Sequence, residues 1–507
     1  MSFISKKVSC HVAKCISIII VLLNSCAELP KPDVEINVDV SQVLHTMQGG
    51  MGASWHSISK EFPLNNEKYK YPVREIAPRG SVYGGNPPVA DTSAWRQVKQ
   101  CASWLGMNFI RVELSQRMYE PEQGKFDWEN EEMQALYLIL DWCQQNDADV
   151  FLQQMWGYVE WNSYPGVHPL LSAPKDLNEF AHGITTLLEY LVNDKGYTCI
   201  KYFCMTNEPP GGPWGYWWDF GDKQGGTVDD AWKRLKETFD ERGIAIPISG
   251  PDWTSMPTFD ENKLGFAPYL GSIDIHSYNG VNADGEANLK KWAYWAHTNH
   301  KPFFLSEYGN MKLGWGDSNP GPKSFEAALS NANDVIRALR AGTDGVNRWS
   351  FTNRGDLDGQ WQLIQTYDRE KKEYLKKVKI ENEAFYGFGI MSRFLSKYSS
   401  VVTCSASRPD SVLMPIALLS PAGELSIFIL NSTDDHLNIS LKIASLPEKQ
   451  MNVYQVTKEM VTQPDFELTA TQHFKSSRKK SITVPPKSIT TVSSYLLENS
   501  DKGIVLK

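Results

Sequence analysis

The chain has 507 residues, of which 41% are hydrophobic and 22% are charged, a composition typical of globular proteins. Its formal net charge of −8, without a dense run of Lys and Arg, argues against a nucleic-acid partner, because phosphate binding needs a basic surface. The length fits either two or three small domains or one large barrel with an addition.

The N-terminal segment is predicted to be an export signal. The basic stretch MSFISKKVSCHVAK precedes a short apolar run, CISIIIVLL, and then Leu23-Asn24-Ser25-Cys26, which resembles a bacterial lipobox. We therefore expect a lipoprotein signal peptide over residues 1–25, a lipid on Cys26 and a tether over residues 26–36. The protein would then lie at the bacterial outer membrane or cell surface, touching the membrane only through its lipid. An ordinary secretory signal, giving a periplasmic or secreted protein, is the alternative.

Strand-like and helix-like patterns alternate through the next part of the chain. Strands are predicted at 47–55, 109–114, 149–156, 200–207, 246–250, 273–278, 302–309 and 345–351. Helices are predicted at 91–105, 129–145, 176–194, 229–242, 287–299 and 325–341, with the weakest helical pattern between 250 and 272. Eight such units predict an α/β fold, a (β/α)8 TIM barrel. The rival, a doubly wound open sheet, is disfavoured because no Gly-rich phosphate-binding turn follows the first strand.

The pattern changes after a last helix near 382–397. Short alternating runs separated by turn residues predict a C-terminal β-sandwich domain over 398–507. The catalytic barrel is assigned to 37–397, and a strand near 34–40 is expected to pair with the sandwich, so that both ends of the chain form one unit. The chain is expected to be a monomer.

Two glutamates are predicted at the ends of barrel strands. Glu208, in TNEPPGG, follows the fourth strand, and Glu307, in FLSEYG, ends the seventh. Active sites of TIM barrels lie at the carboxyl ends of the strands, where nearly opposite strands can aim two carboxylates at one point. Glycoside hydrolysis needs such a pair.

The sequence around these glutamates resembles clan A of the glycoside hydrolases. In that clan the acid/base follows an Asn on strand four, as in Asn207-Glu208-Pro209, and the nucleophile lies on strand seven, as does Glu307. Within the clan, HTMQGGMGASW and FGIMSRFLSKYSSVV resemble the segments that lead into and out of the family 30 barrel, whereas YEPEQGKFDW is more like families 5, 39 and 42. The resemblance implies a retaining mechanism with Glu208 as acid/base and Glu307 as nucleophile.

Supporting residues fall at the ends of other strands. Arg111 is expected to favour the ionised form of Glu307, and Tyr278 to donate a hydrogen bond to it. Singly, Arg111 could equally form a structural ion pair. Glu113 and Glu160 also lie near strand ends, where we interpret them as substrate contacts or surface charges.

Sugar-binding roles are expected for an amide, a histidine and several aromatic residues. Asn207 would bind the sugar 2-hydroxyl, and His276, alternatively a core histidine, would orient Glu208 or a sugar hydroxyl. Trp349 would lie under the reacting ring. Aromatic faces pack on sugar C–H groups, so Trp156 and Trp214, near the third and fourth strand ends, are predicted cleft walls.

The predicted function is that of a retaining β-glycoside hydrolase, endo-acting on an extracellular β-linked polysaccharide through a glycosyl-enzyme intermediate. The alternative is a non-catalytic carbohydrate-binding surface lipoprotein on the same barrel, although a binder has no need of both carboxylates. The partner is an oligo- or polysaccharide. No metal and no cofactor are expected, because the five cysteines beyond Cys26 lack metal-ligand spacing and fit packed free thiols.

Overall fold

The computed structural model describes residues 31–57, 66–71, 85–157, 159–209, 217, 226–313, 324–352, 361–368, 370–498, 502–504 and 506. The predicted signal, Cys26 and Trp214 lie outside these residues, as does the side chain of Trp156.

The barrel follows an N-terminal strand, β1 (Val34–Thr46). The first of the eight barrel strands is divided into two short segments, β2 (Met51–Ala53) and β3 (Trp55–His56). The others are β4 (Phe109–Ser115), β5 (Asp149–Trp156), β6 (Ile200–Cys204), β7 (Ile248–Trp253), β8 (Ser272–Ser277), β9 (Phe303–Tyr308) and β10 (Gly345–Arg348). All pair in parallel, and the sheet closes because β2 pairs with β10 while β3 pairs with β4. The predicted TIM barrel is confirmed.

Helices surround the barrel: α1 (Thr92–Leu105), α2 (Gln116–Tyr119), α3 (Glu131–Gln145), α4 (Leu177–Glu189), α5 (Val228–Arg242), α6 (Ala283–Thr298), α7 (Phe325–Ala341) and α8 (Asn382–Ser392). Between β7 and β8 the chain forms two 3-10 turns, Glu261–Lys263 and Ala267–Tyr269, where the sequence pattern was weakest. Capping fixes the helix ends. Asp91 accepts from the backbone of Ala94 at the start of α1, and Gly106 supplies the positive φ of 62° that ends it.

Alternation along the strands separates the barrel interior from the helix-facing surface. In β4, Ile110, Val112 and Leu114 pack outward against the helices, whereas Phe109 joins Phe151, Cys204 and Phe304 in a cluster inside the barrel. Arg111 follows Phe109 on the inward face, two residues nearer the carboxyl end of the strand. The barrel interior therefore has an aromatic layer near the amino ends of the strands and a polar layer above it.

The second domain is a mostly antiparallel sheet that folds over on its own apolar core. Its strands are β1 with β13 (Ser400–Ala406), β14 (Leu413–Leu419), β15 (Leu425–Asn431), β16 (Leu437–Ala444), β17 (Gln450–Val456), β18 (Gln472–Lys475), β19 (Lys480–Val484) and β20 (Ser488–Ser493). A hairpin of β11 (Ile364–Asp368) and β12 (Glu373–Ile380) precedes α8, and a short helix, α9 (Lys458–Val461), follows β17.

Strand β1 lies between β13 and β16, which moves the domain boundaries. It pairs antiparallel with β13, with Ile36 opposite Ala406, and parallel with β16, with Val34 opposite Ile439. The tether predicted over 26–36 is therefore too long, and the first ten residues assigned to the barrel belong to the sandwich. The reason is the alternation in VEINVDV, which buries every second side chain from Val34 in the sandwich core.

The sandwich shares a core with the barrel helices. In β14 and β15, Leu413, Ala417 and Ile427 face the core of the sandwich, while Ile416 and Phe428 pack into the core cluster that includes the barrel helices. Both faces of these strands are thus buried, which explains their nearly continuous apolar sequence. Among the helices that the structure describes, none is long and apolar enough to cross a membrane.

Replacing Phe428 with alanine should destabilise the whole chain, because this fully buried ring packs where sandwich and barrel meet. The expected loss in the free energy of unfolding is about 3–5 kcal/mol. Urea unfolding followed by tryptophan fluorescence measures it. Leu44→Ala is the control, since Leu44 is 62% exposed, and a change within about 0.5 kcal/mol is expected there. Equal effects of the two changes would contradict the shared core.

Candidate active site

The two predicted glutamates meet over the barrel axis. Strand β6 ends at Cys204, and the chain continues through Thr206 to Glu208, whose φ of 51° turns it toward β9 and Glu307. An oxygen of each carboxylate and a ring nitrogen of His276 lie within 4.8 Å of one another. This separation fits a retaining pair, whose carboxyl groups are about 5–5.5 Å apart, and is too short for the roughly 6.5–9.5 Å of inverting enzymes.

Glu307 is buried among three polar side chains. Arg111 forms an ion pair with it, the hydroxyl of Tyr278 donates to Oε2, and Nδ1 of His276 lies 3.2 Å from Oε2. Burial raises the pKa of Glu307 to about 7, although Arg111 and His276 act in the opposite direction. Arg111 and Tyr278 thus take the positions expected from the sequence, but the charges of Arg111 and His276 do not fully offset the burial of the carboxylate.

Arg111 is itself fixed by neighbouring strands. Its guanidinium contacts Glu113, donates to Oδ1 of Asn207 at 3.1 Å and to Oε1 of Gln153 at 3.3 Å. Burial would lower the pKa of Arg111, but Glu307 and Glu113 raise it further above its ordinary value, so the guanidinium stays charged. The structural ion pair and the contact with Glu307 therefore exist together.

His276 connects Glu208 to a buried aspartate. Nδ1 lies 2.8 Å from Oε1 of Glu208, and Nε2 lies 2.8 Å from Oδ1 of Asp252. Burial alone would lower the pKa of His276, but the carboxylates of Glu307 and Asp252 raise it well above its ordinary value. A protonated ring donates from both nitrogens, which orients the carboxylates on either side.

Asp252 is a site residue that the sequence interpretation missed. Besides His276, it accepts from Nε2 of Gln153 at 2.9 Å and from the backbone nitrogen of Glu208 at 3.2 Å. Burial would raise the pKa of Asp252, but His276 and Arg111 lower it. In neighbouring Asp274, burial and the charge of Asp252 raise the pKa well above the usual range, which favours the protonated form of Asp274. A signal existed, since Asp252 lies two residues after the end of the predicted strand 246–250.

Glu113 and Trp349 also lie close to Arg111. Glu113 is fully buried and bonded to Arg111 and His56, so it is neither a substrate contact nor a surface charge. Its inward position in β4, two residues after Arg111, was the signal for this. The ring of His56 packs nearly edge-on against Trp349, with centroids 4.7 Å apart. Trp349 is 6% exposed and lies 5.9 Å from the Arg111 guanidinium.

Two connecting loops are joined at the carboxyl ends of the strands. Backbone hydrogen bonds link Tyr71 to Gly166 at 2.9 Å and to His168 at 3.0 Å. Glu160 is exposed, accepts from Tyr69 at 2.8 Å and pairs with Lys68, which agrees with its interpretation as a surface charge. These contacts join the loop after β3 to the loop after β5.

Two groups of side chains have the spacing to share a cation among the residues that the structure describes. One is Glu208, His276 and Glu307, and the other is the buried set of Cys204, Asp252 and Asp274. In the first group, Arg111 and His276 already supply positive charge to the carboxylates. In the second, the raised pKa of Asp274 favours a proton at that position. Neither group offers a set of ionised ligands free of cationic or hydrogen-bonding partners.

A closed parallel barrel with two close glutamates above its axis, one of them paired with arginine and tyrosine, defines a glycoside hydrolase of the retaining class. The sequence model of the cellulase family, glycosyl hydrolase family 5, matches residues 81–355. The chain belongs to this family. A search of curated protein sequences gives no significant match.

Solved structures with the same fold include enzymes of families 30 and 39, which belong to clan A. A family 30, subfamily 8 xylanase from Clostridium acetobutylicum is 14% identical with a TM-score of 0.59, covering 90% of this chain and 99% of its own. An endo-β1,6-glucanase is 14% identical with a TM-score of 0.60, covering 90% and 94%. A family 39 enzyme from Xanthomonas axonopodis pv. citri is 11% identical with a TM-score of 0.56, covering 93% and 99%. The predicted clan is confirmed, and both family 30 and family 39 occur among the similar folds.

Acid pH should reduce activity, because Glu307 must be ionised to act as a nucleophile. A carboxylate with a raised pKa loses its charge as the pH falls through that pKa, so kcat/KM should fall on the acid side of about pH 7. Tyr278→Phe removes the donor to Glu307 and should move this acid limb to higher pH, because the charged form loses a hydrogen bond. The pH profile of kcat/KM measures both.

Tyr308→Phe is the matched control, since the Tyr308 hydroxyl is buried one residue from Glu307 and has no hydrogen-bond partner in the described structure. An acid limb that moves equally in both variants, or in neither, would show that the hydrogen bond from Tyr278 does not set the charge of Glu307.

Proposed function

We propose that the chain hydrolyses β-linked polysaccharide by double displacement, with endo action. The observation that carries the proposal is the close approach of Glu208 and Glu307, of which Glu307 is the one that Arg111 and Tyr278 contact. This asymmetry gives the two carboxyl groups different tasks. The names of similar folds, a xylanase and an endo-glucanase, support a polysaccharide substrate.

In the first displacement, a carboxylate oxygen of Glu307 forms a bond to the anomeric carbon while the bond to the leaving oxygen breaks. Glu208 gives its proton to that oxygen, so the products are a glycosyl ester on Glu307 and the shortened saccharide. The amide of Asn207, oriented by the 3.1 Å hydrogen bond from Arg111, binds the 2-hydroxyl of the reacting sugar. Trp349 lies beneath that sugar.

In the second displacement, the Glu208 carboxylate takes a proton from water as the water oxygen bonds to the anomeric carbon. The ester bond breaks and returns its electron pair to Glu307. Esterification has meanwhile removed the negative charge of Glu307, so no like charge remains beside the Glu208 carboxylate that was left after proton donation. His276 orients the Glu208 carboxyl group through both steps, because its other nitrogen is bonded to Asp252.

A panel of plant, algal and fungal β-glycans, with oligosaccharides identified after brief digestion, tests this function. Internal cleavage gives a range of oligosaccharides early in the reaction, and NMR of fresh products should show the β-anomer. An α-anomer would overturn the retaining mechanism, and release of single sugars only would overturn endo action. Binding without cleavage of any glycan or aryl β-glycoside would instead support a carbohydrate-binding lipoprotein.

We also propose that the protein is an exported lipoprotein anchored through Cys26, as the N-terminal sequence indicates. In the natural bacterial host, Cys26→Ser should abolish labelling with radioactive palmitate and move the protein from the membrane to the soluble fraction. Ser25→Ala is the control and should keep both properties. Membrane association that survives Cys26→Ser would contradict the lipid anchor.

A further inference from the structure

A cavity of about 770 Å³ lies outside the barrel wall, between α1, α3 and the segment that follows β20. We call it the side cavity. Its aromatic walls are Trp95 and Trp104 of α1, Trp142 of α3 and Tyr495 of the second domain. None of its lining residues belongs to the active site. Its volume falls in the range of cavities that hold small ligands, roughly 300–1,000 Å³.

The charge of the side cavity is opposite to that of the chain as a whole. Arg96, Lys99 and Arg393 line it, and no lining residue is acidic, whereas the chain has a net charge of −8. Neither Arg96 nor Lys99 forms an ion pair with any residue that the structure describes. Burial lowers the pKa of Lys99, with Asp141 acting in the opposite direction. An anion beside Lys99 would add to the effect of Asp141 in favouring the charged amine.

The walls of the side cavity are held in place before any ligand binds. The Arg393 guanidinium lies 4.4 Å from the Trp104 ring centroid and donates to the backbone oxygen of Trp104. The indole nitrogens of Trp142 and Trp95 donate at 3.1 Å to Ser103 and Pro87. Trp95, Trp104 and Trp142 are at most 7% exposed and form a rigid wall, whereas Tyr495 is 47% exposed and offers an accessible ring. A wall that is already ordered reduces the ordering cost of binding.

We propose that the side cavity is a second saccharide site, which binds sugar acids, namely oligosaccharides that carry uronic-acid carboxylates. The exposed ring of Tyr495 can pack on the C–H face of a pyranose, and Arg96 and Lys99 can bind the carboxylate of that sugar through charge-assisted hydrogen bonds. The choice of a saccharide over other anions rests on the proposed function, whereas the preference for an anion rests on the cavity alone. The site would hold acid-bearing glycan chains against the enzyme at a distance from the catalytic glutamates.

Calorimetry with the full chain tests this proposal with two matched ligands, α-linked tetragalacturonate and its carboxyl-reduced neutral form. Tetragalacturonate should bind, and the neutral form should bind at least about tenfold more weakly, because charged hydrogen bonds are lost. Arg96→Ala/Lys99→Ala should weaken tetragalacturonate binding by a similar factor. Tyr495→Ala should also weaken it, because Tyr495 is a 47% exposed aromatic wall.

The control is Lys233→Ala/Lys291→Ala, which removes two exposed cations from the other helices α5 and α6 and should leave binding unchanged. Hydrolysis of an aryl β-glycoside should be the same in all these variants. Equal binding of both ligands, no binding of either, or equal loss in the control would overturn the side-cavity proposal. If hydrolysis is absent in the unaltered chain while acid binding still depends on Arg96 and Lys99, the proposed function fails and the anion site stands.

Discussion

Replacing Glu307 with alanine is expected to lower kcat by a factor of about 10⁴ or more, because the covalent bond to the anomeric carbon can no longer form. The fold should survive, since the change removes a buried carboxyl group and leaves Arg111 bonded to Glu113, Asn207 and Gln153. Steady-state hydrolysis of an aryl β-glycoside and of the polymer substrate measures the loss.

Azide distinguishes loss of the nucleophile from general damage. In the Glu307→Ala variant the space left by the carboxylate admits azide, which attacks the anomeric carbon from the same side. The product should be a glycosyl azide of inverted, α configuration. Glu160→Ala is the control, because Glu160 is an exposed glutamate at the loops and its loss should leave kcat nearly unchanged. A β-configured azide from Glu307→Ala would show that the two glutamates have the opposite roles.

Replacing Glu208 with alanine should give a different pattern, because it removes proton donation while the nucleophile remains. Hydrolysis of substrates with poor leaving groups should fall by about 10²–10⁴-fold, the usual contribution of general acid catalysis. Aryl glycosides with activated leaving groups should still form the ester on Glu307, and the second step should then limit the rate for want of a base. Rapid-mixing experiments should show a burst of released phenol.

Azide should rescue the Glu208→Ala variant by attacking the glycosyl ester on Glu307, which gives a β-configured product. Gln153→Glu is not a suitable control, because Gln153 bonds to Arg111 and Asp252. Glu160→Ala is again the control, and this variant should show neither the burst of phenol nor the rescue by azide. Equal losses for good and poor leaving groups would mean that Glu208 does not donate the proton.

The barrel and its two glutamates were predictable because they depend on local patterns. Each strand is a short apolar run, and a polar residue directly after such a run lies at the carboxyl end of the barrel. The observed strand β6 ends three residues before the predicted end at Asn207, yet Glu208 still lies in the site. An error of three residues in a predicted strand end therefore does not change the prediction that the following side chains lie at the carboxyl end of the barrel.

The contacts among site residues were harder to predict because they join side chains on different strands. Gln153 of β5 bonds to Asp252 of β7, and Asp252 to His276 of β8. These contacts depend on the stagger of the strands in the closed barrel, which local patterns do not contain. The burial of Glu113 was easier to predict, since it follows from the alternation Phe109, Arg111, Glu113 in β4.

The place of β1 in the second domain constrains the order in which this chain can fold. The backbone nitrogen of Asn438, at the start of β16, bonds to Asp33, 405 positions earlier in the chain. Strand β1 therefore emerges first during synthesis but must wait unpaired until almost the whole chain has been made. Pairings of such long range form slowly and leave apolar strands open to aggregation in the meantime. Completion of the second domain is thus a late step that joins the two ends of the chain.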